Sequence, residues 1–296
     1  MGGTSFSYSS SHPYVAFTGP KKALLPLPHC TADIMGMQSP VIAPGRAASG
    51  RVILVGAGPG APDLLTVRAV RALAVATVVV HDGLIDPAVL DFAPGARRVD
   101  VSKRRDRHTL PQDAINALLV AEARAGHTVI RLKGGDPFIF GRGGEEVDAC
   151  VAAGVAVEVV PGVSAALGAA AGALMPLTHR DHASSVSFVA GTCQNLVEQD
   201  WAGLAGKGRT LVIYMGVTNA NAIADKLIAD GLAPDCPCAV LERGTLPGAR
   251  VVRTLLADLG GAVVAHSVVS PALLVIGDVT RGVAAAAVTE GLICAC

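Results

Sequence analysis

Hydrophobic residues in this chain recur in short continuous runs that end in glycine, proline or charged side chains. The run at residues 51–55 ends in Gly-Ala-Gly-Pro-Gly, and the run at 128–130 ends in the polar stretch 131–146. Short apolar runs of this kind are typical of buried parallel strands. Segments with helical apolar spacing separate them, and the first of these, residues 64–73, has Asp63 in position to cap it. The pattern predicts an α/β fold, with a mostly parallel sheet covered on both faces.

The order of the elements predicts two α/β domains. Strands and helices alternate from residue 51 to 160, and an alanine-rich helix beginning near Ser164 leads to a second set at 184–276. We therefore predict an N-terminal α/β domain at residues 50–180 and a smaller C-terminal α/β domain at 181–281. Residues 1–49 are rich in Ser, Pro and Gly, which predicts a disordered extension, with a targeting peptide as the alternative. Residues 282–296 form a predicted tail.

Composition narrows the classes of partner. The 296 residues are 51% hydrophobic and have a formal net charge of zero, which gives no sign of a nucleic acid or a membrane surface as partner. Pro161 and Pro176 interrupt the longest uncharged run, so too few helical residues remain for a membrane span, which needs about 20. The seven cysteines include no Cys-x-x-Cys pair, and the histidines show no metal spacing. We predict no disulfide framework and no metal site.

Several loops at strand ends have backbone chemistry that suits a ligand. These loops are residues 56–63, 134–138, 161–165 and 214–216. Gly134 and Gly135 permit close approach of a ligand to the main chain. Because ligands of open α/β sheets bind outside the carboxyl ends of the strands, such loops from two domains predict a ligand cleft between the domains. The hydroxyl of Ser164 and the thioether of Met215 are the candidate side-chain contacts.

Basic residues are concentrated near the predicted cleft. They are Lys103, Arg104, Arg105, Arg107 and His108, together with Arg142, His179 and Arg180. A substrate with several carboxylates needs several guanidinium groups, each able to bind a carboxylate through two hydrogen bonds. The alternative is a solvated loop. Arg142 and Glu145, three residues apart at a predicted helix start, face either the same ligand or each other.

A dinucleotide-binding enzyme or module is the competing interpretation. Gly56, Gly58 and Ala61 fit the Gly-x-Gly-x-x-Ala fingerprint, and Asp82 lies at about the distance of a ribose-binding acid. However, a proline at position 59 and another at 62 lie where a Rossmann helix begins with free amides for pyrophosphate. The loop therefore favours a ligand other than a dinucleotide.

Six stretches together resemble the tetrapyrrole methylase family. They are residues 55–63, 80–82, 131–146, 160–165, 176–180 and 212–216, in order and at fitting spacing within residues 51–281. The resemblance implies an enzyme that transfers methyl groups from S-adenosylmethionine to uroporphyrinogen III, giving precorrin-2 by way of precorrin-1, in sirohaem or cobalamin biosynthesis. The alternative within the family is a precorrin methyltransferase. The resemblance further implies a cytoplasmic homodimer.

Site residues follow from the same resemblance, position by position. The implied cofactor contacts are Pro59, Gly134, Gly135, Asp136, Ile139, Ser164, Ala165, Met215 and Gly244. Asp82 matches the proton acceptor and Lys103 the proton donor, while Arg142 and Glu145 are the further catalytic candidates. Arg180 and Met215 match residues that bind the tetrapyrrole. The chain departs from the family pattern at Ser102, where relatives have glycine, at Gly83, where they have Arg or Ala, and at Ala61, where they often have an acid.

Overall fold

The computed structural model describes residues 50–102, 110–191, 201 and 203–281. The predicted extension 1–49, the predicted tail 282–296 and the basic segment with Lys103 lie outside the described residues. The strands are β1 (Arg51–Gly56), β2 (Val78–His81), β3 (Arg97–Asp100), β4 (Thr128–Lys133), β5 (Ala156–Val160), β6 (Ala183–Ala190), β7 (Gly208–Tyr214), β8 (Pro237–Glu242), β9 (Arg250–Leu255) and β10 (Ala272–Ile276). The α-helices are α1 (Val67–Ala74), α2 (Pro87–Leu90), α3 (Gln112–Arg124), α4 (Gly143–Ala152), α5 (Ala165–Gly172), α6 (Ala220–Ala229) and α7 (Leu259–Ala265).

The first sheet is parallel throughout, with the strand order β3-β2-β4-β1-β5. Side chains of β1 alternate between its faces. Ile53 packs with Leu73 of α1 in one buried cluster, and Leu54 packs with Leu119 of α3 in another. Helices therefore cover both faces, so apolar residues at neighbouring strand positions are all buried. The predicted α/β class is confirmed, and the carboxyl ends of the central strands meet at one edge.

The second sheet is mixed, with the order β6-β7-β10-β8-β9. Only β6 and β7 are parallel, while the other pairs are antiparallel. No α-helix lies between β8 and β9, and a short connection can join only antiparallel neighbours. Helix α6 packs on one face of this sheet, and α5 packs on the other, where Ala166 and Ala170 meet Val212 and Val275. The predicted boundary at 180/181 stays a prediction, because α5 precedes it in the chain but packs on the second sheet.

The start of α1 differs from the sequence prediction. Thr66, not Asp63, is the N-cap, and its Oγ1 accepts a hydrogen bond of 3.1 Å from the amide of Ala69. Asp63 lies in a single 3-10 turn, Pro62–Leu64, after which the chain becomes extended. Pro62 is the first residue of this turn, and the extended residues Leu65 and Thr66 separate the turn from the helix. Among the described helices, none has the length and apolar character to cross a membrane.

Candidate active site

Three loops at the carboxyl edge of the first sheet are tied together by hydrogen bonds. Gly58, after β1, and Gly135, after β4, pair in antiparallel fashion, with N···O distances of 3.2 and 2.7 Å. The carboxylate of Asp136 accepts from the amide of Phe138 at 2.8 Å and from the amide of Gly162, after β5, at 3.1 Å. Both oxygens of Asp136 therefore hold the loops in place.

Glycines allow these loops to approach so closely. A Cβ added to Gly56 would lie 2.5 Å from the amide nitrogen of Gly162 and 2.6 Å from the carbonyl oxygen of Gly135. Carbon does not approach backbone atoms so closely, so side chains are excluded here. Gly134 differs, because it is exposed and nothing lies within 4 Å of the position that a Cβ would take. The backbone of Gly134 therefore offers a ligand an open approach.

The second sheet contributes a buried tyrosine to the start of α5. The hydroxyl of Tyr214, at the end of β7, lies 2.5 Å from the Ser164 hydroxyl and accepts from the amide of Ala166 at 3.0 Å. The next residue, Met215, has a φ of 55° and is 47% exposed. Tyr214 thus satisfies a helix-terminal amide and holds the Ser164 side chain.

Helix α5 joins the loops of the two sheets. A Cβ on Gly168 would lie 2.6 Å from Cβ of Pro59, and a Cβ on Gly244 would lie 2.7 Å from Cα of Ala169. The small residues of α5 therefore let the loop after β1 and the loop after β8 contact neighbouring positions of one helix, Gly168 and Ala169. Ser164 and Ala165, at its N-terminus, complete this arrangement. The predicted cofactor positions Pro59 and Gly244 thus lie against the same short helix that begins at Ser164 and Ala165.

Backbone strain is concentrated in the same loops. Of the seven non-glycine residues with positive φ among the described residues, five follow β4, β7 or β8: Phe140, Arg142, Met215, Arg243 and Thr245. Such conformations are costly for residues with a Cβ, and they cluster at functional sites. The surrounding contacts hold them, for example the 3.1 Å hydrogen bond from the amide of Ala61 to Oγ1 of Thr245.

Arg142 and Glu145 form a local ion pair with two hydrogen bonds. Nε and Nη2 of the arginine lie 2.8 and 2.7 Å from the two carboxylate oxygens. These hydrogen bonds lower the pKa of Glu145 from its usual value. Both side chains are more than half exposed, at 57% and 52%. Of the two arrangements that the sequence left open, the structure has the pair facing each other, and the predicted catalytic role of both residues stays a prediction.

Asp82 lies at the exposed end of a buried charge network. Nη2 of Arg131 lies 2.7 Å from Oδ1 of Asp82, and its Nε lies 2.8 Å from Oε1 of Glu146. Nζ of Lys133 donates to the same Glu146 oxygen at 3.0 Å. Burial by itself lowers the pKa of Arg131, but the attraction of Asp82 and Glu146 outweighs burial and raises it. Burial, together with repulsion from Arg131, lowers the pKa of Lys133.

The remaining predicted site residues lie on the exposed side of these loops. Ile139 is 37% exposed, and its neighbours Phe138 and Phe140 are exposed as well. Arg180 is exposed in the turn between α5 and β6, beside the backbone pairing of His179 with Ala183. Within the described ranges, no three His, Cys, Asp or Glu side chains are grouped so that they could hold a metal ion.

Comparison with known proteins identifies this architecture. The sequence profile of the Tetrapyrrole (Corrin/Porphyrin) Methylases matches residues 51–260. The chain belongs to the tetrapyrrole methylase family. The resemblance seen in the sequence motifs is thus confirmed.

Two solved structures are similar to this chain in sequence and fold, and a further protein is similar in sequence. The structure of uroporphyrin-III C-methyltransferase from Thermus thermophilus, in complex with S-adenosylhomocysteine, is 42% identical with a TM-score of 0.68, and the match covers 78% of this chain and 94% of that one. A cobalt precorrin-4 methyltransferase is 27% identical with a TM-score of 0.69, covering 78% and 95%. A siroheme synthase from Gluconacetobacter diazotrophicus is 52% identical over 80% of this chain and 51% of its own length. The chain spans about half the length of the curated relatives it matches.

Several residues that the structure brings to this candidate site had no predicted role in the sequence. Tyr214 looked like the last apolar residue of a strand, and only the fold brings its hydroxyl to α5. Arg131, Lys133 and Glu146 were part of a recognised loop without an assigned role. A signal was present, because two charged residues alternate with Ile130 and Leu132 in a strand that is buried on both faces.

Proposed function

We propose that this chain is an S-adenosylmethionine-dependent C-methyltransferase that converts uroporphyrinogen III to precorrin-2 by way of precorrin-1. The observation that carries the proposal is the meeting of the glycine loops of the first sheet and the loops after β7 and β8 around α5. A 42% identical enzyme of the same fold is named for methylation of uroporphyrin III and has S-adenosylhomocysteine bound. The product would enter sirohaem or cobalamin biosynthesis.

The loops around α5 fit S-adenosylmethionine, which supplies an electrophilic methyl group on sulfur. Gly134 offers open main chain, and Met215 is exposed on a strained turn. The proposed contacts are Pro59, Gly134, Gly135, Asp136, Ile139, Ser164, Ala165, Met215 and Gly244. These residues hold and align the donor, since a methyl acceptor positioned at about 3 to 3.5 Å needs little covalent help from the protein.

The proposed substrate side lies beside this cofactor side. Arg180 binds carboxylates of the tetrapyrrole, and Met215 contacts both ligands. Asp82 takes or relays the proton that the methylated carbon loses, while Lys103 is the proposed donor. Arg142 and Glu145, both exposed next to the cofactor loop, exchange their mutual ion pair for contacts with substrate.

Incubation of the purified protein with uroporphyrinogen III and methyl-labelled S-adenosylmethionine under anaerobic conditions tests the proposal. We expect a labelled monomethylated intermediate that is converted to a dimethylated product. Failure to form the dimethylated product refutes the proposal. Methylation of a precorrin, but not of uroporphyrinogen III, would instead support the alternative that the chain is a precorrin methyltransferase, like the 27% identical precorrin-4 enzyme.

Calorimetry with S-adenosylhomocysteine and with NAD separates the methylase from a dehydrogenase. We expect binding of the former alone. The structure supports this expectation, because a 3-10 turn and an extended segment follow Gly58, where a dinucleotide site has the start of an α-helix. Tight NAD binding would overturn the assignment.

We also propose that the protein acts as a homodimer in the cytoplasm, without a nucleic-acid or membrane partner. The described cysteines Cys150, Cys236 and Cys238 are free thiols, as is usual in a reducing compartment. Large apolar side chains are exposed outside the loops, among them Leu174 at 72% and Val264 at 78%. Light scattering of the purified protein tests the dimer, and a monomer mass at micromolar concentration would contradict it.

A further inference from the structure

We infer that Arg131 and Glu146 are positioning residues that hold the carboxylate of Asp82 at the carboxyl edge of the first sheet. The inference rests on the proposed function, in which Asp82 handles the proton. Arg131 and Glu146 are buried beneath the substrate side, with side chains that are 3% and 0% exposed. They act on the reaction only through Asp82, which is 36% exposed.

The geometry of Arg131 directs one end of its guanidinium at Asp82. Nε is held by Glu146 at 2.8 Å, while Nη1 lies 3.5 and 3.4 Å from the carbonyl oxygens of Val80 and Leu132. These contacts fix the plane of the group, so that Nη2 points to the Asp82 oxygen at 2.7 Å. A rigid, planar group anchored at two of its nitrogens determines where its third partner lies.

Glu146 is the anchor of the network. Its Oε1 accepts hydrogen bonds from Arg131 at 2.8 Å, Lys133 at 3.0 Å and Gln112 at 3.2 Å. Its Oε2 is buried and has no partner among the described residues. Because all three donors bind the same oxygen, Glu146 holds the side chains of Arg131, Lys133 and Gln112 close together. Glu146 also follows Glu145 in the first turn of α4, so the anchor lies beside the exposed Arg142–Glu145 pair.

The charges of the network balance only when Asp82 is counted. Arg131 and Lys133 contribute two positive charges, and Glu146 with Asp82 contributes two negative charges. Uncompensated charge is costly in a protein interior, so the buried part favours a carboxylate at position 82. The apolar neighbours on the same sheet face, such as Val129 and Leu119, show that this layer packs without charged groups elsewhere. Burial of three charged side chains, Arg131, Lys133 and Glu146, is therefore better explained by the position of Asp82 than by packing.

The test compares Arg131→Lys and Glu146→Gln with Val129→Ala in the otherwise intact chain. Lysine keeps the charge of Arg131 but cannot reach both carboxylates, and glutamine keeps the shape of Glu146 without its charge. Val129 lies two residues earlier on the same strand and face, so its truncation lowers stability without touching a polar group. The measurements are kcat and KM for methyl transfer and the Kd for S-adenosylhomocysteine.

We expect Arg131→Lys and Glu146→Gln to lower kcat by about 10- to 100-fold, the loss that follows from misplacing a reacting group by roughly 1 Å. Their S-adenosylhomocysteine Kd should stay within about 2-fold of wild type, and Val129→Ala should keep kcat within about 2-fold. Each substitution is then combined with Asp82→Asn. Where Asp82→Asn retains measurable turnover, Glu146→Gln should cause no further loss, because it acts through a carboxylate that is already gone.

Three results would overturn the inference: wild-type kcat in both variants, an equal kcat loss in Val129→Ala, or full additivity with Asp82→Asn. If neither Arg131→Lys nor Glu146→Gln folds, the test uses Gln112→Met instead. This variant removes one hydrogen bond to Glu146 and leaves every charge in place, so it should lower kcat by about 3-fold. If the wild-type enzyme methylates the tetrapyrrole and the variants give any of these three results, the inference is refuted and the proposed function is not. A wild-type protein that binds S-adenosylhomocysteine but methylates no tetrapyrrole refutes the proposed function, and the inference with it.

Discussion

Replacement of Gly56 by alanine should displace the proposed cofactor-binding loops after β4 and β5. Gly56 is the last residue of β1, and a Cβ there would lie 2.5 Å from the nitrogen and 2.6 Å from Cα of Gly162, and 2.6 Å from the oxygen of Gly135. All three atoms belong to the backbone, so no side chain can rotate away. The new methyl group must push the loops after β4 and β5 outward.

The size of the effect follows from these distances. Ordinary carbon contacts are about 3.5 to 4.0 Å, so the backbone has to retreat by roughly 1 Å. Overpacking of this kind costs about 1 to 3 kcal/mol, and each kcal/mol lowers the melting temperature of a protein this size by about 2 to 4 °C. The amide of Gly162 would also move from Asp136, which it contacts at 3.1 Å. We expect the displaced loops to lower the binding free energy of S-adenosylhomocysteine by about 1.4 kcal/mol, which reduces its affinity about tenfold.

Thermal unfolding and calorimetric titration with S-adenosylhomocysteine measure both effects. Gly172→Ala is the matched control, because nothing lies within 4 Å of its added Cβ and the residue ends α5. The control should keep its affinity and melt at or slightly above the wild-type temperature. If Gly56→Ala had the same affinity and melting temperature as Gly172→Ala, the close approach of the three loops would not be required for cofactor binding.

Three further predictions concern other parts of the site and the core. Tyr214→Phe removes the hydroxyl that contacts Ser164 and the Ala166 amide, so the free energy of unfolding should fall by about 1 to 3 kcal/mol in denaturant titrations; an unchanged midpoint would contradict this. Arg180→Ala should raise KM for the tetrapyrrole about tenfold and leave S-adenosylhomocysteine affinity intact, because it removes one charged contact to a carboxylate; the reverse pattern would mean that the ligands occupy each other's places. Burial raises the pKa of Cys150 from 9.0 to about 11, so between these values the unfolded chain releases its proton first and the wild type should lose stability as pH rises. Cys150→Ala should show a smaller loss, because the thiols of Cys236 and Cys238, whose pKa values burial also raises, remain.

Local patterns were sufficient for the first sheet and for the loops. Apolar runs such as residues 51–55 are buried on both faces, so they mark strands without knowledge of their neighbours. The glycines at 134 and 135 have a backbone role that their residue type alone indicates. The predicted start of α1 is wrong because Asp63 and Thr66 are both good caps, and only the extended conformation of Leu65, between the turn and Thr66, decides which of them caps the helix.

Periodicity and motifs of residues close together in the chain are enough to predict the α/β class, the loops at strand ends and the family resemblance. Tertiary structure decided the antiparallel pairing in the second sheet and the packing of α5 on it. It also decided that Tyr214 reaches Ser164, 50 positions away, and that Arg131 reaches Asp82, 49 positions away. Such contacts depend on which strands become neighbours, and that is a property of the whole packed chain rather than of any segment.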